Sequence, residues 1–170
     1  ETIYGEYLKV SVEKCINIKR IIDNIAKKLG FPQIISQLAI LGILNPQLFE
    51  NASNLTKISQ RLNKVLANSN NEWSAKYIQK KDNNDKKYLE ISRINRGVQD
   101  IFLISEEDIK SDEVKTLDNT KDFLNHYFFE KCIFTFNEEN YELKGPLDLA
   151  TRITDLGKKG SQVNRYKGLG

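Results

Sequence analysis

The sequence predicts an α+β fold, with an N-terminal helical half of about three helices followed by a mixed antiparallel β/helix region. Three observations carry this. Apolar residues recur at helical spacing from Ile18 to Leu66, the polar breaker Asn68-Ser69-Asn70-Asn71 ends that pattern, and alternation with period two begins at Trp73. At 170 residues, 39% hydrophobic and 29% charged, the chain can bury a substantial core. No apolar run approaches the ~20 residues that span a bilayer. The acidic start, Glu1 to Glu6, lacks the basic and apolar regions of a signal peptide. Cys15 and Cys132 form no C-x-x-C pair and are expected to be buried and reduced, as in a cytosolic protein.

Residues 7–15 alternate loosely and read either as a strand or as the lead-in to a helix. From Asn17 the helix is clear. Ile18, Ile21, Ile22, Ile25 and Leu29 share a face, and Gly30 closes it. Pro32 opens a second helix that is apolar on nearly every side and so belongs in the core, with Asn45-Pro46 as its stop. A third runs from about Asn54 to Ala67, with Ser53 as N-cap and Leu55, Ile58, Leu62, Val65 and Leu66 inward. Trp73 to Ile78 and Tyr88 to Ile94 then form a β-hairpin around an Asx-rich turn, and Val98 to Ile104 a third strand. Ser105 with Glu106, Glu107 and Asp108 reads as a capping box. Helix continues through Val114, Leu117, Leu124 and Phe128, interrupted near Asn119-Thr120. Cys132, Phe134 and Phe136, then Tyr141 and Leu143, make a second short hairpin, and Gly145-Pro146 opens a final helix.

The net charge of +3 is too mild to argue for nucleic acid, but its distribution is uneven. Residues 97–151 carry 13 carboxylates against 5 cations, between basic flanks. Such asymmetry implies a charged partner or an internal electrostatic fit. Lys80, Lys81, Lys86 and Lys87 collar the first hairpin, with Arg93 and Arg96 following. These cations either meet phosphates or decorate a solvated turn. A search for chemistry returns no catalytic residue and no metal ligand set. His126 is the single histidine and reads as a packing or surface residue. There is no phosphate-cradling glycine loop. Glu106, Glu107 and Asp108 read as charges favoured by a helix N-terminus rather than as a cation site.

At the C-terminal end stands Arg165-Tyr166-Lys167-Gly168-Leu169-Gly170. On an extended strand Arg165 and Lys167 share one face, and the glycines permit a tight turn. These six residues match the R-Y-K-G-L-G signature of type II topoisomerases, and the chain resembles the B subunit of bacterial DNA gyrase. The approach through Asp155-Leu156-Gly157-Lys158-Lys159-Gly160 is similar to the family's, as is the Trp-led hairpin ending at Arg96-Gly97. The resemblance implies that residues 1–144 are the insertion that Gram-negative B subunits carry within the TOPRIM domain. Within it, 17–67 form a helical half and 72–144 an α+β half, while 145–170 are the helix and strand returning to TOPRIM.

The same resemblance implies a scaffold within an ATP-dependent enzyme that negatively supercoils DNA. Its partners would be the gyrase A subunit, double-stranded DNA and the remainder of the B subunit, in the cytoplasm. Mg²⁺ and ATP would belong to the parent enzyme and no cofactor to these residues, because the E-G-D-S-A and D-A-D-x-D-G blocks are missing. Those blocks are expected upstream of Glu1, as are the sheet partners of residues 163–170, which are therefore expected to be poorly anchored. The contact candidates are Arg165, Tyr166, Lys167, Gly168, Gly170, Lys80, Lys81, Lys86, Lys87, Arg93 and Arg96. The alternative is an independent α+β module that binds nucleic acid through the basic hairpin, residues 76–96.

Overall fold

The computed structural model describes residues 5–67, 71–81, 85–158 and 168–169. Four helical segments open the chain: α1 (Gly5–Leu29), α2 (Pro32–Leu41), a 3-10 turn (Pro46–Glu50) and α3 (Ser53–Val65). A three-stranded meander follows, β1 (Asn71–Lys80), β2 (Lys86–Asn95) and β3 (Val98–Ser105), in the order β1-β2-β3. Three short helices come next, α4 (Glu106–Ile109), α5 (Asp112–Asp118) and α6 (Lys121–Phe128). The hairpin β4 (Cys132–Phe136) and β5 (Glu139–Leu143), helix α7 (Pro146–Lys158) and β6 (Gly168–Leu169) complete the described part. The α+β expectation holds: the N-terminal region is helical up to Val65, and strands and further helices alternate after it.

Helix α1 starts twelve residues before Asn17, so residues 7–15 are helix and not strand. Its buried residues are Leu8, Ser11, Val12, Cys15, Ile18, Ile22 and Ile25, one stripe at three-and-four spacing. At 1.5 Å per residue its 25 residues make a strut of about 37 Å. Against it pack α2, α5, α7 and β3. Helix α2 is buried from Ile34 to Ile40, as its all-round apolar sequence demands. It stops at Gly42, not at Asn45-Pro46. Gly42 is left-handed (φ 72°) and its N–H returns to the Ala39 carbonyl. Asn45 instead caps the 3-10 turn, its side chain accepting from the Gln47 N–H at 3.1 Å. Ser53 is the first residue of α3 rather than its cap, and Asn51 accepts the Ser53 N–H at 3.0 Å.

The first sheet is in register from Asn71↔Asn95 to Lys80↔Lys86, and β2 pairs β3 from Tyr88↔Ser105 to Asn95↔Val98. Directly paired residues share a face. Trp73, Leu89, Ile91, Phe102 and Ile104 therefore turn inward together. Asn63 on α3 ties this sheet down by bonding both the N–H and the carbonyl of Trp73, at 2.9 and 3.0 Å. Ser105 and Asp108 form the expected capping box at α4. The second hairpin turns through Asn137 and Glu138 alone, both left-handed (φ 50° and 67°), which is a tighter turn than the four polar residues suggest.

One hydrophobic cluster runs from Leu8 on α1 to Ile153 on α7 and takes side chains from both halves. The junction before α7 is close. A Cβ at Gly145 would sit 2.9 Å from Ser36 Oγ and 3.2 Å from Ile40 Cδ1, so no larger residue fits without movement. Gly168 and Leu169 pair antiparallel with Thr135 and Phe134 of β4. This part of the last strand thus has its partner inside the chain, contrary to the expectation that its sheet lies upstream. Residues 163–167 lie outside the described residues.

Candidate functional site

The sequence-predicted cations separate once folded. Lys80 and Lys86 are paired at the loop end of the first hairpin, where β1 turns into β2. Arg96 sits in the two-residue turn at the other end, with φ 51°. Lys86 is bound to Glu107 at 3.1 Å, and this contact with the carboxylate raises the pKa of its ammonium above its ordinary value. Lys80 lies 5.2 Å from the centre of the Tyr88 ring. Arg93 is ion-paired with its cross-strand neighbour Asp100 and stacks over Trp73 at 5.5 Å. Lys81, Lys87 and Arg96 are exposed. Arg165, Tyr166, Lys167 and Gly170 lie outside the described residues, and Gly168 pairs with Thr135 of β4.

Four carboxylates of the acidic block are answered within the chain. Asp108 pairs with Lys28, Glu107 with Lys86, Asp100 with Arg93 and Asp118 with Lys121. Asp112, Glu113 and Asp122 on α5 and α6 remain exposed, and among the described residues they form no ion pair. Among those residues, too, no group of three or more His, Cys, Asp and Glu is placed to hold a metal ion. His126 is exposed, with its ring edge-on to Tyr127 at 4.7 Å. Burial pushes the Cys132 thiol up to about 12 and Cys15, on α1, higher still, so both stay protonated.

A second charged region was not legible as a cluster. Arg61 on α3 is buried, with 7% of its surface exposed. Its Nε donates to Gln37 Oε1 at 2.8 Å. Its two terminal nitrogens donate to the carbonyls of Phe129 (2.6 Å) and Phe128 (2.7 Å), at the C-terminal end of α6. A cation there satisfies carbonyls that no further helical turn can bond. Burial pulls the guanidinium's pKa below its ordinary value, and the Glu130 carboxylate opposes this. Gln37 Nε2 donates in turn to the Lys144 carbonyl at 3.0 Å. One buried knot therefore joins α2, α3, the end of α6 and the end of β5.

Above this knot the surface is concave. A cavity of about 340 Å³ is lined by Lys64, Lys131 and Lys144 with Glu130 and Glu142. An adjoining one of about 400 Å³ adds Lys57 and Gln60. Both share Arg61, Lys64 and Phe129, so they form one groove. The legible signal was the spacing of Lys57, Arg61 and Lys64, which places them on one face of α3. Nothing in the sequence placed Lys131 and Lys144 opposite that face.

Comparison with known proteins gives a consistent result. A family described as the DNA gyrase B subunit insert domain matches residues 1–144. The chain is 26% identical over 170 residues to a DNA gyrase B subunit of Caulobacter vibrioides, covering 100% of this chain and 20% of that protein. It is likewise 26% identical to the DNA gyrase B subunit of Rickettsia bellii over 173 residues and that of Rickettsia conorii over 178, each covering 100% of the chain and 20% of the relative. The chain thus spans about one fifth of the length of these curated relatives.

Proposed function

Because the chain belongs to the family of DNA gyrase B subunit insert domains, we propose that it is the insert and scaffold segment of a gyrase B subunit. The parent is then an ATP-dependent type IIA topoisomerase that negatively supercoils DNA by passing one duplex through another, working in the cytoplasm. The segment supports DNA binding and braces the contact of the B subunit with the gyrase A subunit. It is not catalytic alone, and Mg²⁺ and ATP belong to other parts of the parent.

The observation that carries the bracing role is the single core running from α1 to α7. A 25-residue helix is packed along its length by α2, α5, α7 and β3. Such a body resists bending, because deforming a close-packed interior costs contacts throughout. The exposed carboxylates Asp112, Glu113 and Asp122 are the surface we assign to a basic partner. Attraction between charges so exposed is screened beyond about 8–10 Å at physiological salt, so it guides contact rather than repelling DNA at range.

Titrating the purified gyrase A subunit into a solution of the chain, across a series of salt concentrations, tests this. Binding at low salt that weakens on replacing Asp112, Glu113 and Asp122 by Asn, Gln and Asn is the expected outcome. Absence of binding at low salt rejects the bracing role. The hairpin reading has less support, since Lys86 and Arg93 are already ion-paired.

A further inference from the structure

We propose that the groove between α3, the α6–β4 link and the end of β5 is the nucleic-acid contact of this domain. Its ligand is a phosphodiester backbone, and Lys57, Lys64, Lys131 and Lys144 are the residues that hold it. All four lysines are exposed. Among the described residues none is held in an ion pair, in contrast to Lys28, Lys76 and Lys86. Two carboxylates, Glu130 and Glu142, line the same groove, so its lining is net positive. Glu130 acts electrostatically on the buried Arg61.

The floor of the groove is rigid and already satisfied. Arg61, Gln37 and the carbonyls of Phe128 and Phe129 bond one another. They leave no array of free donors and acceptors with which to read a peptide backbone. What the groove presents outward is ammonium charge in excess over the two exposed carboxylates Glu130 and Glu142, and the ring of Phe129. That ring is 41% exposed and is steadied by the Arg61 guanidinium 5.6 Å from its centre. Mobile lysine ammoniums suit phosphates as point charges, and an exposed ring beside them suits a sugar or base face. This combination binds a backbone without reading its sequence. The choice of a nucleic acid over another polyanion rests on the reading of the chain as a gyrase B insert. The placement of the charge does not.

Fluorescence anisotropy with a short labelled duplex, and with one of its strands alone, tests the assignment on the 170-residue chain. The groove variant is Lys64→Glu/Lys131→Glu/Lys144→Glu, with Lys64→Gln/Lys131→Gln as a milder second variant. The hairpin control is Lys80→Ala/Lys81→Ala/Lys87→Ala. Circular dichroism checks that each is folded. The groove variant is expected to lose at least about tenfold in affinity, and its salt slope is expected to flatten by about 3 if each lysine meets one phosphate. The milder variant loses less, in the same direction, and the hairpin control changes little. Stronger binding of the duplex or of the strand identifies which form supplies the phosphates.

An equal or larger loss in the hairpin control overturns the assignment. So does displacement of the duplex by polyglutamate at matched charge, which would make the groove a site for an acidic protein. If the wild-type chain binds neither nucleic acid, the groove assignment fails. Titration with the gyrase A subunit then still decides the bracing role independently.

Discussion

The hairpin end and the α3 groove are both basic, and they teach opposite lessons about reading charge from sequence. At the hairpin, Lys80, Lys81, Lys86 and Lys87 are near neighbours in the chain. Folding then sets Lys86 on Glu107 and Lys80 against the Tyr88 ring. In the groove the lysines come from positions 57, 64, 131 and 144, and folding brings them to one concavity. Density along the chain is therefore a poor guide to density on the surface. Tertiary partners decide which cations remain available.

Arg61 is where this contrast can be broken most forcefully. Replacing it with Ala strands Gln37 Oε1 and two carbonyls at the end of α6, and charge-assisted bonds of this kind are worth about 1.5–3 kcal/mol each. We expect a loss of about 3 kcal/mol, read as a fall of about 10 °C in thermal melting. A variant that melts with the wild type would show that the groove floor is not held as described. Next in size is Gly145→Ala. Its methyl meets Ser36 Oγ at 2.9 Å, and overpacking of this kind costs about 1–3 kcal/mol in urea denaturation. Ser105→Ala removes the hydroxyl that accepts the Asp108 N–H and should cost about 1 kcal/mol by the same measurement.

The thiols sharpen the picture through pH. Their folded pKa values lie above the ordinary ~8.5 of a free thiol, so the unfolded chain ionises first. Stability present below about pH 8.5 is then lost as pH rises toward about 12, and Cys132→Ala should flatten that decline in denaturation curves taken at successive pH values. At neutral pH both thiols should resist a thiol reagent until the chain unfolds. Smallest of all is Lys86→Gln at the hairpin. Its partner Glu107 is exposed, so melting should be indistinguishable from wild type.

Much of the architecture could be read from periodicity. The change from helix α3 to strand β1, the meander, the Ser105 capping box and the α6–β4 boundary follow from residue types and their spacing. The start of α1 could not be read so easily. Leu8, Val10 and Val12 alternate as in a strand, while the true stripe runs through the small residues Ser11 and Cys15. Gly42 ended α2 because a left-handed residue there lets its N–H close the last turn. That possibility competed with the more conspicuous Asn45-Pro46. Arg61 was illegible for a different reason. A charged residue on an amphipathic helix is ordinarily solvated, and its carbonyl partners stand 67 and 68 residues further along the chain. The last strand was identified by its R-Y-K-G-L-G motif, but pairing of Gly168 and Leu169 with β4 is a long-range contact that no local pattern encodes.

Hydrogen–deuterium exchange of the chain, with and without duplex DNA at low salt, tests the groove assignment most directly. Two surfaces compete for the footprint, and peptides covering residues 55–66, 128–133 and 142–146 separate from those covering 76–90. Protection in the first three, and none beyond solvent noise in the last, is the predicted result. Protection confined to residues 76–90 would contradict it and return the contact to the hairpin.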